Sequence, residues 1–272
     1  MLPRIGQGTW EFPEAGARLR EAKEALRRGI ELGMIHIDTA EMYGGGRVEQ
    51  IVGDALAGLE RSSFFLTSKV LPSNASFKRT IAACEGSLSR LRTDHLDQYL
   101  LHWPGSVPIS ETMAALEQLV ADGKVRFLGV SNFDVAELDA ARHALRREPL
   151  ACNQVLYHLR ERGIEARLLP YCKAHDIAIV GYTPFGRGSF PGDAARAGGA
   201  LDRMARKYDK SVRQLILNFM TRDENVFTIP KAAQIAHVQE NAGAAGWELS
   251  PADAQIIDEA FPARSDGQLA TL

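Results

Sequence analysis

The sequence predicts a (β/α)8 barrel, and three observations lead there. Eight short runs have the apolar, β-branched character of strands, at 5–10, 35–38, 64–69, 96–102, 127–132, 152–157, 177–183 and 226–230. They are near-continuous rather than alternating, as expected for parallel strands buried on both faces. Between them lie segments whose apolar residues recur at steps of three and four, the signature of amphipathic helices. The third observation is size: 272 residues suit one barrel domain. Strands alternating with single helices imply right-handed βαβ units. Eight such units close on themselves, whereas a doubly wound sheet usually stops near six.

Each helix is read from its own residues. Leu19, Ala22, Ala25, Leu26 and Ile30 carry the first, and Val48, Ile51, Val52 and Leu56 the second. Ile81, Cys84, Leu88 and Leu91 carry the third, with Gly86 a weak point inside it. Leu116, Leu119 and Val120, then Leu138, Ala141 and Leu145, then Leu168, Leu169 and Cys172 mark the next three. Residues 212–220 lead into the eighth strand. A last helix starts at Ser250, an N-cap residue, with Pro251 in the first helical position. It is expected to pack outside the barrel. No low-complexity linker or shift in composition divides the chain, so residues 1–272 are read as a single domain.

Composition excludes several function classes. Apolar residues make up 45% and charged residues 24%, the balance of a soluble globular protein. A formal net charge of -2 gives no electrostatic case for nucleic acid or an anionic membrane. Arg18, Arg20, Arg27 and Arg28 alternate with Glu21, Glu24 and Glu31, the pattern of a solvated helix face. Cys84, Cys152 and Cys172 form no C-x-x-C pair, so neither a disulfide framework nor a metal site is expected. A reducing cytoplasm fits that usage. No run approaches the ~18 consecutive apolar residues of a membrane span.

Barrels of this class keep their chemistry at the C-terminal ends of the strands. The second strand ends at Asp38, with Tyr43 in the loop that follows. The third ends in Lys69 and the fourth in His102. An acid, a phenol, an amine and an imidazole thus fall at three neighbouring strand ends, about 4.8 Å apart. The chemistry is coherent. A phenol of pKa ~10 is a poor proton donor near neutrality, and an adjacent ammonium is expected to pull that value down. A carboxylate would fix the lysine, and an imidazole can hydrogen-bond a carbonyl oxygen or relay a proton. Each residue also has an ordinary reading. Asp38 can cap a loop, Tyr43 can anchor the turn at Gly44-Gly45-Gly46, Lys69 can lie on the surface, and a strand-end His102 can be structural.

These residues sit in recognisable runs. Residues 37–44 (IDTAEMYG), 66–69 (LTSK), 96–103 (LDQYLLHW), 129–133 (GVSNF), 181–188 (GYTPFGRG) and 229–231 (IPK) resemble, in order and spacing, the motifs of the aldo-keto reductase superfamily. The likeness runs from Gly6 to about Phe261. It implies a catalytic tetrad of Asp38, Tyr43, Lys69 and His102 and a bound NADPH. By the same resemblance Ser131, Asn132 and Gln154 meet the nicotinamide amide, and Tyr182 stacks on the nicotinamide ring. Gly8, Thr9, Trp10 and Asp38, with Pro184, Gly186, Arg187 and Gly188, form part of the dinucleotide cradle. Thr183 and Phe185 are left open. Glu240 and Asn241 match adenine contacts. Ordinary readings persist here as well: Ser131-Asn132 can cap the next helix, Gly186 and Gly188 can be loop glycines, and Gln154 can be a satisfied interior amide. Gly44-Gly45-Gly46 does not have the spacing of a strand-to-helix G-x-G-x-x-G, which sets aside a Rossmann site.

The chain departs from the family pattern in two places. Only four residues precede Ile5, so the hairpin that usually caps the barrel bottom is expected to be trimmed. After Lys231, where the family often has Ser and then Arg to hold the 2′-phosphate, this chain has Ala232 and His237. Trp10, Met42, Trp103 and Phe133 are expected at the mouth of the substrate pocket. Short loops there suggest an open site for small aldehydes, ketoaldehydes or ketones, and the run 229–241 is similar to a bacterial subgroup that includes methylglyoxal reductases. The expected protein is a cytoplasmic monomer without metal, nucleic-acid or membrane partners. A non-catalytic NADPH-binding subunit and an oxidative sugar or polyol dehydrogenase are the rival functions.

Overall fold

A computed structural model of the chain describes residues 2–188, 199–263 and 267–271. Its strands are β1 (Gln7–Gly8), β2 (His36–Asp38), β3 (Phe65–Val70), β4 (Leu96–Leu101), β5 (Val125–Ser131), β6 (Cys152–Leu156), β7 (Ala178–Tyr182) and β8 (Val226–Thr228). All pair in parallel with their chain neighbours, in the order β1 to β8. Parallel bridges of Ile5 with Thr228 and of Gly8 with Lys231 carry the sheet round from β8 to β1. The expected barrel is present.

The first strand is shorter than the run at 5–10 suggests, and two glycines show why. A Cβ on Gly8 would lie 2.6 Å from the Ile229 carbonyl oxygen, and one on Gly6 2.7 Å from that of His36. The backbones crowd where the barrel closes, and Thr9 then turns out of the sheet. Its amide and hydroxyl both donate to the Asp38 carbonyl, at 3.1 and 2.8 Å. Among the described residues no hairpin precedes β1.

The helices are α1 (Gly16–Glu31), α2 (Arg47–Leu56), α3 (Phe77–Leu91), α4 (Ile109–Ala121), α5 (Val135–Ala144), α6 (Leu168–Ala174), α7 (Ala200–Tyr208), α8 (Val212–Met220), α9 (Ile235–Ala242) and α10 (Pro251–Ala260). The apolar stripes read from the sequence face the strands: Leu26, Ile51, Val52, Leu88, Leu91, Leu116, Leu119, Leu138 and Leu168 all join the core. A separate cluster of Leu100, Cys152, Val180 and Ile229 is also buried. The three cysteines are free and buried. The periodic reading passed over two helices, α7 and α9; Val238 and Asn241 of α9 are buried. Helix α7 is the first of them. Its Leu201, Met204 and Ala205 are buried, and it packs on α8 and α10.

Helix α10 begins as expected. The Ser250 hydroxyl accepts from the Asp253 amide at 3.2 Å, and Pro251 opens the first turn. A buried ionic cluster then holds it to the barrel. Arg162, 3% exposed, donates to both Glu165 carboxylate oxygens at 2.9 and 2.7 Å, to the Phe261 carbonyl at 2.6 Å, and to Asp258 on α10. Arg222 and Tyr157 share the same Glu165. Removing Arg162 leaves Glu165 with Arg222 and Tyr157 and takes a donor from the Phe261 carbonyl, at a cost of about 1–3 kcal/mol. Arg162→Ala is therefore expected to lower unfolding stability by that order in urea denaturation. A loss under about 1 kcal/mol, the scale of an exposed pair, would mean that the cluster does not anchor α10.

Candidate active site

Strand register brings the reactive groups together. Asp38 pairs with Thr67 across β2 and β3, and Lys69 follows two residues on, so both side chains share one face of the strand pair. The Lys69 ammonium lies 2.6 Å from Asp38 Oδ1, 2.9 Å from the Thr39 carbonyl and 3.3 Å from the Tyr43 hydroxyl. Lys69 and Asp38 are buried, while Tyr43 is half-buried and lines the opening. Gly44, Gly45 and Gly46 all have left-handed backbones, with φ of 56°, 59° and 89°. Only glycine adopts three such residues in a row cheaply, and the tight turn they make follows directly from Tyr43.

A chain of hydrogen bonds crosses from this group to the far wall. Gln154 donates to Asp38 Oδ2 at 2.7 Å, so each carboxylate oxygen has a donor. The Ser131 hydroxyl donates to the Gln154 carbonyl at 2.8 Å. The Asn132 amide group donates to the His102 carbonyl at 3.1 Å and to the Ser131 hydroxyl at 3.2 Å. The Tyr182 hydroxyl donates to Asn132 Oδ1 at 2.9 Å. Asp38, Tyr43, Lys69 and His102 thus belong to one connected site, as the sequence suggested.

The site opens into a cavity of about 360 Å3 at the C-terminal ends of the strands. Of the residues expected to touch cofactor or substrate, Gly8, Thr9, Trp10, Met42, Trp103, Ser131, Asn132, Gln154, Tyr182, Pro184, Arg187 and Lys231 line it. Thr183 and Phe185, left open by the sequence, line it too. Gly186 and Gly188 bracket Arg187 in a short 3-10 turn. His237 and Glu240 on α9 are exposed and half-buried, Asn241 is buried, and none of the three lines the cavity.

Phe133 corrects the sequence reading. It is buried in the core, not at the mouth. Asn132 takes a left-handed backbone, φ 61°, which turns residue 132 toward the cavity and residue 133 away from it. The Phe133 backbone is then held from both sides by the Asn153 side chain. Glu11, Arg213 and Ile229 line the cavity without having been singled out as site residues. Arg213 lies in the apolar-periodic stretch of α8, where no motif marks it.

The electrostatics also differ from expectation in one respect. The Tyr43 hydroxyl sits above the ordinary phenol value, not below it. Burial is the larger influence, and Lys69 pulls against it by charge and hydrogen bond. For Lys69 burial again acts first, against the charge. Asp38 and Tyr43 more than compensate, and its pKa is raised. His102 is pushed down to about 3, by burial and then by the Lys69 charge. Its Nδ1 finds no partner among the described residues. His36, two residues before Asp38, is pushed down to about 4, chiefly by burial. The group is a buried ion pair beneath a neutral phenol and a neutral imidazole.

The sequence pattern of the Aldo/keto reductase family matches residues 4–261. The chain belongs to this family. Among aldo/keto reductases, it is 45% identical to the methylglyoxal reductase YeaE of Escherichia coli (strain K12), over 96% of this chain and 92% of that protein. It is 36% identical to the glyoxal reductase of Bacillus subtilis (strain 168), over 94% and 88%. A Klebsiella pneumoniae aldo/keto reductase crystallised with NADP and acetate superposes with a TM-score of 0.92, at 42% identity, over 100% of this chain and 96% of that one.

The depressed imidazoles have a measurable consequence. Both should stay neutral across about pH 5 to 8, where an ordinary histidine gains its charge. An unfolded chain takes up those protons below about pH 6.5 and the folded one does not, so this burial costs stability as the pH falls below that value. Imidazole NMR signals of His102 and His36 are expected to stay fixed from pH 8 to 5. Titration of His102 near pH 6.5 would contradict the assignment of a neutral ring.

Proposed function

We propose that this aldo/keto reductase reduces small aldehydes and ketoaldehydes, methylglyoxal among them, with NADPH as reductant and Tyr43 as proton donor. The observation that carries it is the buried Lys69–Asp38 pair with its ammonium 3.3 Å from a phenol that opens onto the cavity. The names of the YeaE and Bacillus relatives, and the NADP in the Klebsiella structure, support the substrate class and the cofactor.

The donor set fits a nicotinamide dinucleotide. Near the tetrad, Ser131, Asn132 and Gln154 offer hydroxyl and amide groups beside the ring of Tyr182. Arg187 and Lys231, also in the lining, supply positive charge for phosphates. When bound, the reduced cofactor supplies the hydride that a carbonyl carbon accepts. The protein's own residues manage the proton. Raised above its ordinary value, Tyr43 holds its proton and can deliver it as negative charge develops on the carbonyl oxygen. Lys69 stabilises the phenolate left behind, and Asp38 fixes Lys69. His102, neutral, has one N–H to offer the same oxygen. Trp10, Met42 and Trp103 give the mouth apolar walls, and Met42 and Trp103 remain exposed. That openness suits small substrates.

Two outcomes are expected. Tyr43→Phe should lower kcat for methylglyoxal by about 100-fold or more while NADPH binding stays near wild type. Lys69→Met should be similarly impaired, because the phenolate loses its cation. Steady-state NADPH oxidation checks both, and near wild-type turnover by Tyr43→Phe would remove it from the donor role.

Cofactor preference gives a third. NADPH should bind more tightly than NADH, with Lys231 contributing its charge to the 2′-phosphate. His237 can give one hydrogen bond there, not the forked pair of a guanidinium. Lys231→Ala is expected to narrow the NADPH/NADH ratio and His237→Arg to widen it. Fluorescence titration with each dinucleotide measures the ratio. Tighter NADH than NADPH binding by the wild type would refute the assignment.

A further inference from the structure

Arg187, Arg213 and Lys231 line the same cavity, and among the described residues no carboxylate pairs with any of them. The carboxylates in the lining are Glu11 and Asp38, and Asp38 is already engaged by Lys69 and Gln154. The two guanidiniums instead rest on aromatic faces. Arg187 lies 4.6 Å over the Trp10 ring and Arg213 5.0 Å over the Phe185 ring. Stacking of this kind orients a guanidinium while leaving its edge N–H donors free. Arg213 is half-buried while Arg187 and Lys231 are exposed, and a half-buried cation with unused donors in a cavity is built to meet an anion.

Arg213 is also well anchored. It lies in the first turn of α8, which is fixed by a capping box: the Ser211 amide donates to Gln214 Oε1 at 2.9 Å, and the Gln214 amide to the Ser211 hydroxyl at 3.2 Å. The same Gln214 donates from its side chain to the Glu240 carbonyl on α9 at 3.0 Å. The start of α8 is thereby tied to the helix that carries His237, where a phosphate-binding arginine was expected from the sequence pattern and is missing.

Resting on the NADPH reading above, we infer that Arg213 is a phosphate-binding residue of the dinucleotide site. The shared chemistry is a phosphate, which in NADPH is either the 2′-phosphate or the pyrophosphate. A guanidinium bonded to phosphate through two N–H groups is replaced poorly by an ammonium and not at all by an amide.

The test is dinucleotide titration of purified wild type, Arg213→Gln and Arg213→Lys with NADPH and NADH, by fluorescence quenching at low and high salt. Circular dichroism verifies that each variant is folded. Arg213→Gln is expected to weaken NADPH binding by about tenfold to a hundredfold and to flatten its salt dependence, with Arg213→Lys in between. A loss confined to NADPH assigns the 2′-phosphate, and an equal loss for NADH assigns the pyrophosphate. Either result supports the inference. A folded Arg213→Gln that binds both dinucleotides within about twofold of a tightly binding wild type, with unchanged salt dependence, overturns it and leaves the NADPH reading intact. A wild type that binds neither dinucleotide overturns both.

Discussion

A bare ammonium inside a protein costs several kcal/mol, and Lys69 is buried. The rest of the site is arranged around that one charge. Asp38 neutralises it, the Thr39 carbonyl accepts from a second N–H, and the Tyr43 hydroxyl completes the set. All three partners come from β2 and the loop that follows it, so the pairing of β2 with β3 decides whether the site forms. A one-residue slip in that register would turn Lys69 toward the helices and leave Asp38 without its cation. Fold and chemistry thus rest on the same backbone hydrogen bonds.

The ion pair also sets the protonation of everything near it. Its positive end helps keep His102 neutral and offsets part of what burial does to Tyr43. The outcome is a cavity wall with protons held on neutral groups and a cation behind them. That arrangement is suited to receiving negative charge on an oxygen and ill suited to binding a positively charged substrate. Gln154 extends its influence across the barrel: its side-chain amide meets Asp38, and its backbone carbonyl accepts from Ser131, which leads through Asn132 to Tyr182.

Much of this was legible in the residues. Apolar runs marked the strands because a parallel strand buried on both faces is mostly apolar, with its few buried polar side chains, such as Asp97 and Gln154, hydrogen-bonded. The tetrad stood out because Asp38, Lys69 and His102 fall at strand ends and Tyr43 in the loop after β2. What escaped had physical reasons. Helix α7 follows a glycine-rich stretch, and its apolar stripe of Leu201, Met204 and Ala205 is narrow among charged residues, so it reads as loop. Phe133 was misplaced because the turn at Asn132 depends on a backbone angle that no residue type announces. Arg213 reads as one polar residue on an amphipathic helix until the fold brings that helix end to the cavity. The upward shift of Tyr43 comes from the weight of burial against charge, which depends on depth and not on spacing. The Arg162 cluster draws on residues up to 99 apart in the chain, and nothing in their local sequence links them.

Seven non-glycine residues among those described have left-handed backbones, and four of them line the cavity: Glu11, Asn132, Thr183 and Arg187. Asn tolerates that conformation, but a β-branched Thr does not do so readily. Each such residue stores about 1–3 kcal/mol, so the rim of this pocket is a reservoir of tension held in place by the rigid barrel. An engineer seeking a hardier enzyme would find relief there by placing glycine at 183. The same change would free the loop after β7, which carries Arg187 and Phe185. In this protein, heat tolerance and a well-shaped pocket draw on opposite ends of one loop's conformational freedom.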